Sequence, residues 1–307
     1  MPFDVVVVGK ANMDYLVRGP RLPTPGQSVN GDAFQEAPGG KGANQAVGAA
    51  RLGARVALVA RVGRDSRGAA VIQALRAEGI DVTYVREDPS APTGVALCQV
   101  GGSGEKQILS AAGANALLTA ADVRQAAALF SSTRVVLCQL GVPLEAVAEA
   151  VRLGRAAGAL VVLDPGPPAP LPDELIAQLD LIRPNTSEAQ ILTGIRVRDR
   201  LSAREAAADL LRRGAKAAAV QAGEFGDLLA WPSGESWLPR FEVKRVDATG
   251  AGDAFASAFA VALAEGRTLA EGGPFASAAA ALATTGLGAQ ASLPTRAAVL
   301  ELMRSAR

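Results

Sequence analysis

The sequence predicts an α/β fold, three layers deep, with a mostly parallel central sheet and a small β-sheet lid at one edge. Three observations predict it. Short Val, Leu and Ala runs, such as Asp4–Gly9 and Arg55–Val62, alternate with longer stretches of helical spacing, the pattern of βαβ units and a parallel sheet. Those runs are continuously apolar, as strands buried on both faces are. Two segments, roughly 15–38 and 93–110, carry only short strand patterns and Pro/Gly punctuation, so they fall outside the layers and read as the lid. A length of 307 residues suits one large domain, 1–307, with this appendage.

In chain order, Asp4–Gly9 is the first strand, and Asn12-Met13-Asp14 leaves its carboxyl end, with an Asx turn as one reading. Gly19–Gly39 is polar, with a short alternating piece at Ser28–Phe34. Gly42–Leu52 has helical spacing and stops at Gly53; Arg55–Val62 is the second buried strand. Ser66–Glu78 reads as a helix capped by Ser66 and Gly79. Short strands follow near Asp81–Arg86, Gly94–Val100 and Lys106–Ser110, the last two joined by a Gly101–Gly104 turn. Helices are expected at Ala121–Phe130, Leu144–Ala157, Glu188–Thr193, Ala203–Arg213, Ala251–Ala264, Leu269–Thr285 and Arg296–Arg304. Strands are expected at Val135–Gln139, Leu160–Asp164, Asp180–Arg183, Ala217–Gln221 and on either side of Gly234. Pro165–Pro172 is a loop beyond a strand's carboxyl end, and such ends are where open parallel sheets bind ligands.

Composition excludes several functions. Lys and Arg nearly balance Asp and Glu, for a net charge of +1, which gives no electrostatic footprint for nucleic acid or an anionic membrane. No apolar run is long enough to span a bilayer, and no basic leader precedes the first strand. Cys98 and Cys138 have neither Cys nor His nearby, so no zinc spacing exists and reduced thiols in a cytoplasmic protein are expected. The chain has no histidine. That removes Ser-His-Asp and Cys-His catalysis and His-bound metals, and leaves a carboxylate as the expected general base, ahead of Lys, Tyr or Cys.

Four motifs carry chemistry. Asp247-Ala248-Thr249-Gly250-Ala251-Gly252-Asp253 runs into the apolar helix from Ala254. Small residues at a helix start leave N–H groups uncovered, an anion hole suited to a phosphoryl group, with Asp253 in the first turn placed to take a hydroxyl proton. A glycine-rich N-cap is the plainer reading, disfavoured here by Asp247 and the long buried helix. Gly39-Gly40-Lys41-Gly42-Ala43-Asn44 opens another helix and offers backbone, charge and an amide to a ligand; a simple capping loop fits as well, and the spacing is not that of a Walker A loop. Asn12 and Asp14 suit two or more sugar hydroxyls. Asn185 and Glu188, one turn apart, suit a hydrated Mg²⁺ and a phosphate oxygen, or equally a capping box. Gly286–Ala291 matches G-x-G-x-x-A but follows a helix, so the dinucleotide reading fails on context.

Taken together and in this order, these motifs, with Pro23-Thr24-Pro25-Gly26 and Pro184, resemble the ribokinase subgroup of the PfkB carbohydrate kinases over essentially the whole chain. The resemblance implies a ribokinase-like fold and an ATP-dependent sugar kinase, ribose being the leading substrate and deoxyribose, another sugar or a nucleoside the alternatives; a non-catalytic binding protein is the remoter one. It implies that Asn12, Asp14, Gly40, Lys41, Gly42, Ala43, Asn44 and Asp253 bind the sugar, with Asp253 as base and Gly250, Ala251 and Gly252 as the anion hole. ATP would meet Asn185, Gln221, Ala222, Gly223, Glu224, Phe225, Gly226, Gly252 and Ser277. Glu188 would support Mg²⁺. An activating K⁺ would lie among Asp247, Thr249, Ala283, Gly286, Gly288 and Ser292. A homodimer formed through the lid is also implied. One departure stands out: where ribokinases usually have Glu after Gln-Leu, this chain has Gly141, which implies a weaker hold on one sugar hydroxyl.

Overall fold

The computed structural model describes residues 3–103 and 105–306; Gly104 of the expected lid turn lies outside them. The strands are β1 (Val5–Val8), β2 (Asn12–Arg18), β3 (Ala33–Gly39), β4 (Val56–Gly63), β5 (Asp81–Asp88), β6 (Gly94–Val100), β7 (Lys106–Ala111), β8 (Val135–Gln139), β9 (Leu160–Asp164), β10 (Leu181–Ile182), β11 (Ala218–Gln221), β12 (Asp227–Trp231) and β13 (Gly234–Trp237). The helices are α1 (Lys41–Arg51), α2 (Ser66–Ala77), α3 (Ala120–Gln125), α4 (Ala127–Phe130), α5 (Leu144–Ala156), α6 (Asp173–Ile176), α7 (Thr186–Thr193), α8 (Arg200–Arg212), α9 (Ala251–Ala264), α10 (Leu269–Ala283) and α11 (Arg296–Ser305).

Among the described residues the main sheet has nine strands in the order β13-β12-β11-β10-β9-β8-β1-β4-β5. It is parallel from β11 to β5, and β12 and β13 extend it as an antiparallel hairpin. The run Val5–Val8 shows why three layers form. Val5 and Val7 pack with α1, α2, α9, α10 and α11, whereas Val6 and Val8 pack with α3 to α8. A strand buried on both faces needs apolar side chains at every position, and β-branched valine suits the pleat.

The lid is a second sheet, ordered β3-β2-β6-β7. β2 pairs parallel with β6, and the other two pairings are antiparallel. The α/β architecture with its lid is the one the sequence predicts. Local details differ. Asn12 and Asp14 do not leave β1 in a turn but begin β2, where Asn12 pairs with Gly39 and Gly94. The alternating lid strand starts at Ala33, not Ser28. Asp65, not Ser66, caps α2, because its carboxylate also accepts from Thr93 and joins the helix start to the lid's base. The expected Ala121–Phe130 helix is two pieces hinged at Ala126, which lets Val123, Ala126, Leu129 and Phe130 reach one core. The Asp180–Arg183 strand is only Leu181–Ile182.

Candidate active site

A cavity of about 580 Å³ lies between the carboxyl end of the main sheet and the inner face of the lid. Lys10 follows β1, Arg183 and Asn185 follow β10, and Gln221 ends β11; Asn12, Asp14 and Cys98 come from the lid. Gly40, Lys41, Asn44 and Gly250–Asp253 come from the starts of α1 and α9. The two glycine-rich motifs, some two hundred residues apart in sequence, therefore face one space.

The start of α9 has the expected form. Gly250 has φ +86°, and a Cβ there would stand 3.0 Å from the Ala289 Cα. Glycine is needed both for the left-handed turn and for the close approach. The first N–H groups of α9 remain without intrahelical partners and carry the positive end of the dipole. Arg183 lies over Gly252, where a Cβ would be 2.9 Å from Nη1, and its guanidinium stacks on Phe255 at 4.9 Å. An anion seated here meets backbone donors and a fixed cation.

Asp253 is buried and held from two sides. Asn44 Nδ2 donates to its Oδ2 (2.8 Å), and Gln45 Nε2 donates to its Oδ1 (3.0 Å). Lys41 Nζ stands 3.5 Å from Oδ1 and 2.7 Å from Asp164 Oδ2. Burial would lower the Lys41 pKa, but the charges of Asp164 and Asp253 outweigh it and hold the ammonium above the ordinary lysine value. Gln139 Nε2 donates to Gln45 Oε1 (2.6 Å), and Gln45 Nε2 also donates to Asp164 Oδ2 (2.7 Å). This buried chain leaves the Asp253 carboxylate little freedom to turn.

On the lid side, burial raises the Asp14 carboxyl to about 6 against the opposing charge of Lys10. Asp14 Oδ1 and Asn44 Oδ1 are buried without partners, which makes them acceptors open to a ligand's hydroxyls. Asn115, fully buried, donates to Asn12 Oδ1 (2.8 Å) and accepts from Ala11 N (2.9 Å), so it fixes the start of β2.

Asn185 and Glu188 form the capping box of α7, with Asn185 N donating to Glu188 Oε2 (2.8 Å) and Glu188 N to Asn185 Oδ1 (2.9 Å). Asn185 also lines the cavity. Burial raises the Glu188 pKa, and the charge of Asp164 adds to it; Asp164 Oδ1 lacks a partner. Lys41 already stands beside these two carboxylates as one cation, and the orphaned Asp164 oxygen leaves an acceptor for a second. Among the described residues no group of three or more acidic or sulfur ligands exists, so such a cation would take its other ligands from water and phosphate, as Mg²⁺ does.

A second space of about 290 Å³ shares Gln221, Ala248 and Ala251 with the first, and Gly223, Gly226 and Ser277 line it. Ser277 Oγ is buried without a partner. Of the other expected nucleotide contacts, Ala222 is buried in the core, and Glu224 and Phe225 lie off this wall. Gly42 and Ala43 are likewise off the cavity: Gly42 packs on Gly9, and Ala43 is core.

Beneath the anion hole, Asp247 Oδ1 accepts from Thr249 N (2.9 Å) and Oγ1 (2.7 Å), and Oδ2 accepts from Gly288 N (3.1 Å). Burial would raise the Asp247 pKa, but these bonds and nearby Lys106 hold it below the usual carboxylate range. Gly286 abuts Ser292, whose buried Oγ has no partner, and Ala283 ends α10 close by in the chain. Lys106 reaches down from β7 to donate to Thr249 Oγ1 (2.9 Å), a direct contact between the lid and the anion-hole loop.

Sequence reasoning passed over Lys10, Gln45, Lys106, Gln139, Asp164 and Arg183. A signal existed for three of them: Gln139 and Asp164 each end an apolar strand, and Arg183 follows one. A polar residue at a parallel strand's carboxyl end points at the site.

The fold and this cavity suit a kinase whose acceptor is a hydroxyl group. More particularly, a family model described as pfkB family carbohydrate kinase matches residues 3–296, and the chain belongs to that family, whose members are phosphotransferases acting on a sugar hydroxyl. The chain is similar to a ribokinase of Haemophilus influenzae, 39% identical over 302 residues, or 98% of this chain and 99% of the relative. It is also similar to a deoxyribokinase of Salmonella typhi, 35% identical over 95% of this chain and 96% of the relative. The solved structure of Arabidopsis thaliana ribokinase complexed with ribose and ATP superposes with a TM-score of 0.89 at 33% identity, covering 99% of each chain.

Proposed function

We propose that the protein is an ATP-dependent ribose kinase, which forms ribose 5-phosphate and ADP. One observation carries the reading: Asp253, clamped by Asn44 and Gln45, stands at an anion hole in the same cavity as the unpartnered Asp14 and Asn44 oxygens. The relatives named ribokinase, and the neighbour solved with ribose and ATP, support ribose and ATP as the substrates.

In this reading Asn12, Asp14 and Asn44 orient the sugar, and Asp253 accepts the proton of the attacking hydroxyl. The N–H groups of Gly250, Ala251 and Gly252, with Arg183, receive the charge on the transferring phosphoryl group. The nucleotide occupies the space along Gln221, Gly223, Gly226 and Ser277. Asn185, Glu188 and Asp164 would hold Mg²⁺, which would neutralise phosphate charge when bound. Asp247, Thr249, Ala283, Gly286, Gly288 and Ser292 would hold K⁺, which would support the anion-hole loop.

The test is ADP release with ATP, Mg²⁺ and ribose. Wild-type protein is expected to turn over, and Asp253→Asn to lose about 10²–10⁴-fold in kcat while still binding ATP. No release with ribose, or near-normal turnover by the variant, would defeat the reading.

A further inference from the structure

Asp227 is the only acidic residue on the wall of the second space, among the described residues, and the proposed chemistry leaves it unused. It opens β12, is partly buried, and its carboxylate has neither an ion pair nor a hydrogen bond among the described residues. It lies on the face of β12 that turns toward α10: Leu229, two positions on, has its Cδ2 3.3 Å from where a Gly273 Cβ would stand. The two cations whose charge reaches it have other contacts. Arg240 donates to the Glu224 carbonyl, and Arg183 lies over Gly252 and stacks on Phe255. Burial raises the Asp227 pKa, and the charges of Arg183 and Arg240 oppose the rise.

A carboxylate is a poor neighbour for a polyphosphate, because like charges repel. An ionised carboxylate can only accept. The group it meets must therefore belong to the nucleoside and must donate. In ATP those donors are the 2′- and 3′-hydroxyls of the ribose and the exocyclic amine of the base. Position decides between them. Gln221, Ala248 and Ala251 belong to both spaces and mark the phosphate end. Asp227 is the partner of Gln221 across the β11–β12 ladder, so it stands one strand beyond that end, roughly 4.8 Å on. The ribose is the next group along the nucleotide. The remaining walls include Phe241, Val243, Ala280 and Ala281, apolar surface suited to the flat base.

We infer that Asp227 is a specificity-determining residue for the phosphate donor: its carboxylate accepts from the ribose hydroxyls of the nucleotide, so that the enzyme selects ribonucleotides over their deoxy counterparts. A hydroxyl that donates to a carboxylate makes one of the stronger hydrogen bonds. A site built to hold a hydroxyl rejects the analogue that lacks it, because the acid is then covered by ligand and left unpaired. Asp227 is not a wall of the main cavity, so its selectivity bears on the nucleotide and not on the acceptor sugar.

The inference rests on the reading of the protein as an ATP-dependent ribose kinase, and the experiment separates the two. Calorimetry on the full chain measures Kd for ADP, for 2′,3′-dideoxy-ADP, and for purine riboside 5′-diphosphate, which lacks the exocyclic amine. Ribose-dependent ADP release from ATP is read separately. Wild-type protein is expected to bind ADP about 10–100-fold more tightly than dideoxy-ADP. Asp227→Ala should bring that ratio down to about 3-fold or less, with ADP and the purine riboside diphosphate losing affinity together. Asp227→Asn, which keeps the shape and one acceptor oxygen, should give an intermediate ratio. Equal wild-type affinity for ADP and dideoxy-ADP overturns the inference and leaves the kinase reading standing. An equal loss on all three ligands in both variants shows a merely structural acid and also overturns it. A loss that spares only the purine riboside diphosphate assigns Asp227 to the base amine and overturns the ribose assignment. The expected Kd pattern without ribose-dependent ADP release would defeat the kinase reading alone.

Discussion

Asp14 illustrates how one residue's surroundings become a measurable property. Its carboxyl is buried beside Lys10 with Oδ1 unpartnered, and burial raises its pKa to about 6. In the unfolded chain an aspartate titrates near 3.9. Between about pH 4 and pH 6 the folded state binds more protons than the unfolded one, so this group's contribution to stability falls as pH rises through that window. Asp14→Asn removes the cost of the buried charge. The ligand-free variant is expected to be more stable than wild type at pH 7.5, on the order of 2 kcal/mol, with the gap closing near pH 4. Sugar binding should move oppositely: wild-type KM for ribose rises as pH drops through about 6, whereas the variant's KM is high and flat. Chemical denaturation at the two pH values and a KM profile check this. A variant less stable than wild type at pH 7.5 would contradict it.

At the scale of elements, the lid shows what strand periodicity decides. On its inner face Asp14, Ala96, Cys98, Ile108 and Ser110 line the cavity, because β2, β6 and β7 pair Asp14 with Ala96, Ala96 with Ser110 and Cys98 with Ile108. The alternate positions form the outer face, where Val17 opposes Phe34 and Leu97 opposes Leu109. All four of these are exposed, Leu109 by 73% and Phe34 by 66%. An exposed apolar face with open edge strands β3 and β7 is suited to pairing with a second copy. The lid is therefore proposed as the dimer contact. Leu109→Glu is expected to convert a dimer to a monomer by light scattering at micromolar concentration, since it places a charge in the apolar contact. A wild-type protein that is already monomeric under those conditions sinks the proposal. That segments 15–38 and 93–110 hold strands was legible in their alternation and turns. That they join side by side, through the parallel β2–β6 pair, was not, because pairing between distant segments has no local signature.

At the scale of the whole molecule, the region below the anion hole is assembled from three stretches: Asp247–Thr249, the end of α10 near Ala283, and the Gly286–Ser292 loop. Asp247 ties the first to the third through Gly288 N. A K⁺ held there would stabilise the loop that packs on Gly250, so kcat is expected to rise several-fold in K⁺ over Na⁺ or Li⁺ at equal ionic strength. Identical rates in the three salts would leave the cation site unsupported. No helix among the described residues is long and apolar enough to cross a membrane.

The sequence by itself determined the α/β class, the approximate place of most helices and strands, the lid segments and the glycine-rich start of α9. Each of these depends on local pattern: continuous apolar runs, helical spacing, or small residues before a helix. Composition alone, with no histidine, pointed to a carboxylate base. Only the tertiary structure brought Asn44 and Gln45 onto Asp253, linked Gln139 to Asp164 through Gln45, set Arg183 over Gly252, and laid Lys10 in the space left by Gly141. Those contacts join residues up to 209 positions apart. Their geometry is set by how the layers pack, and no window of sequence contains both partners.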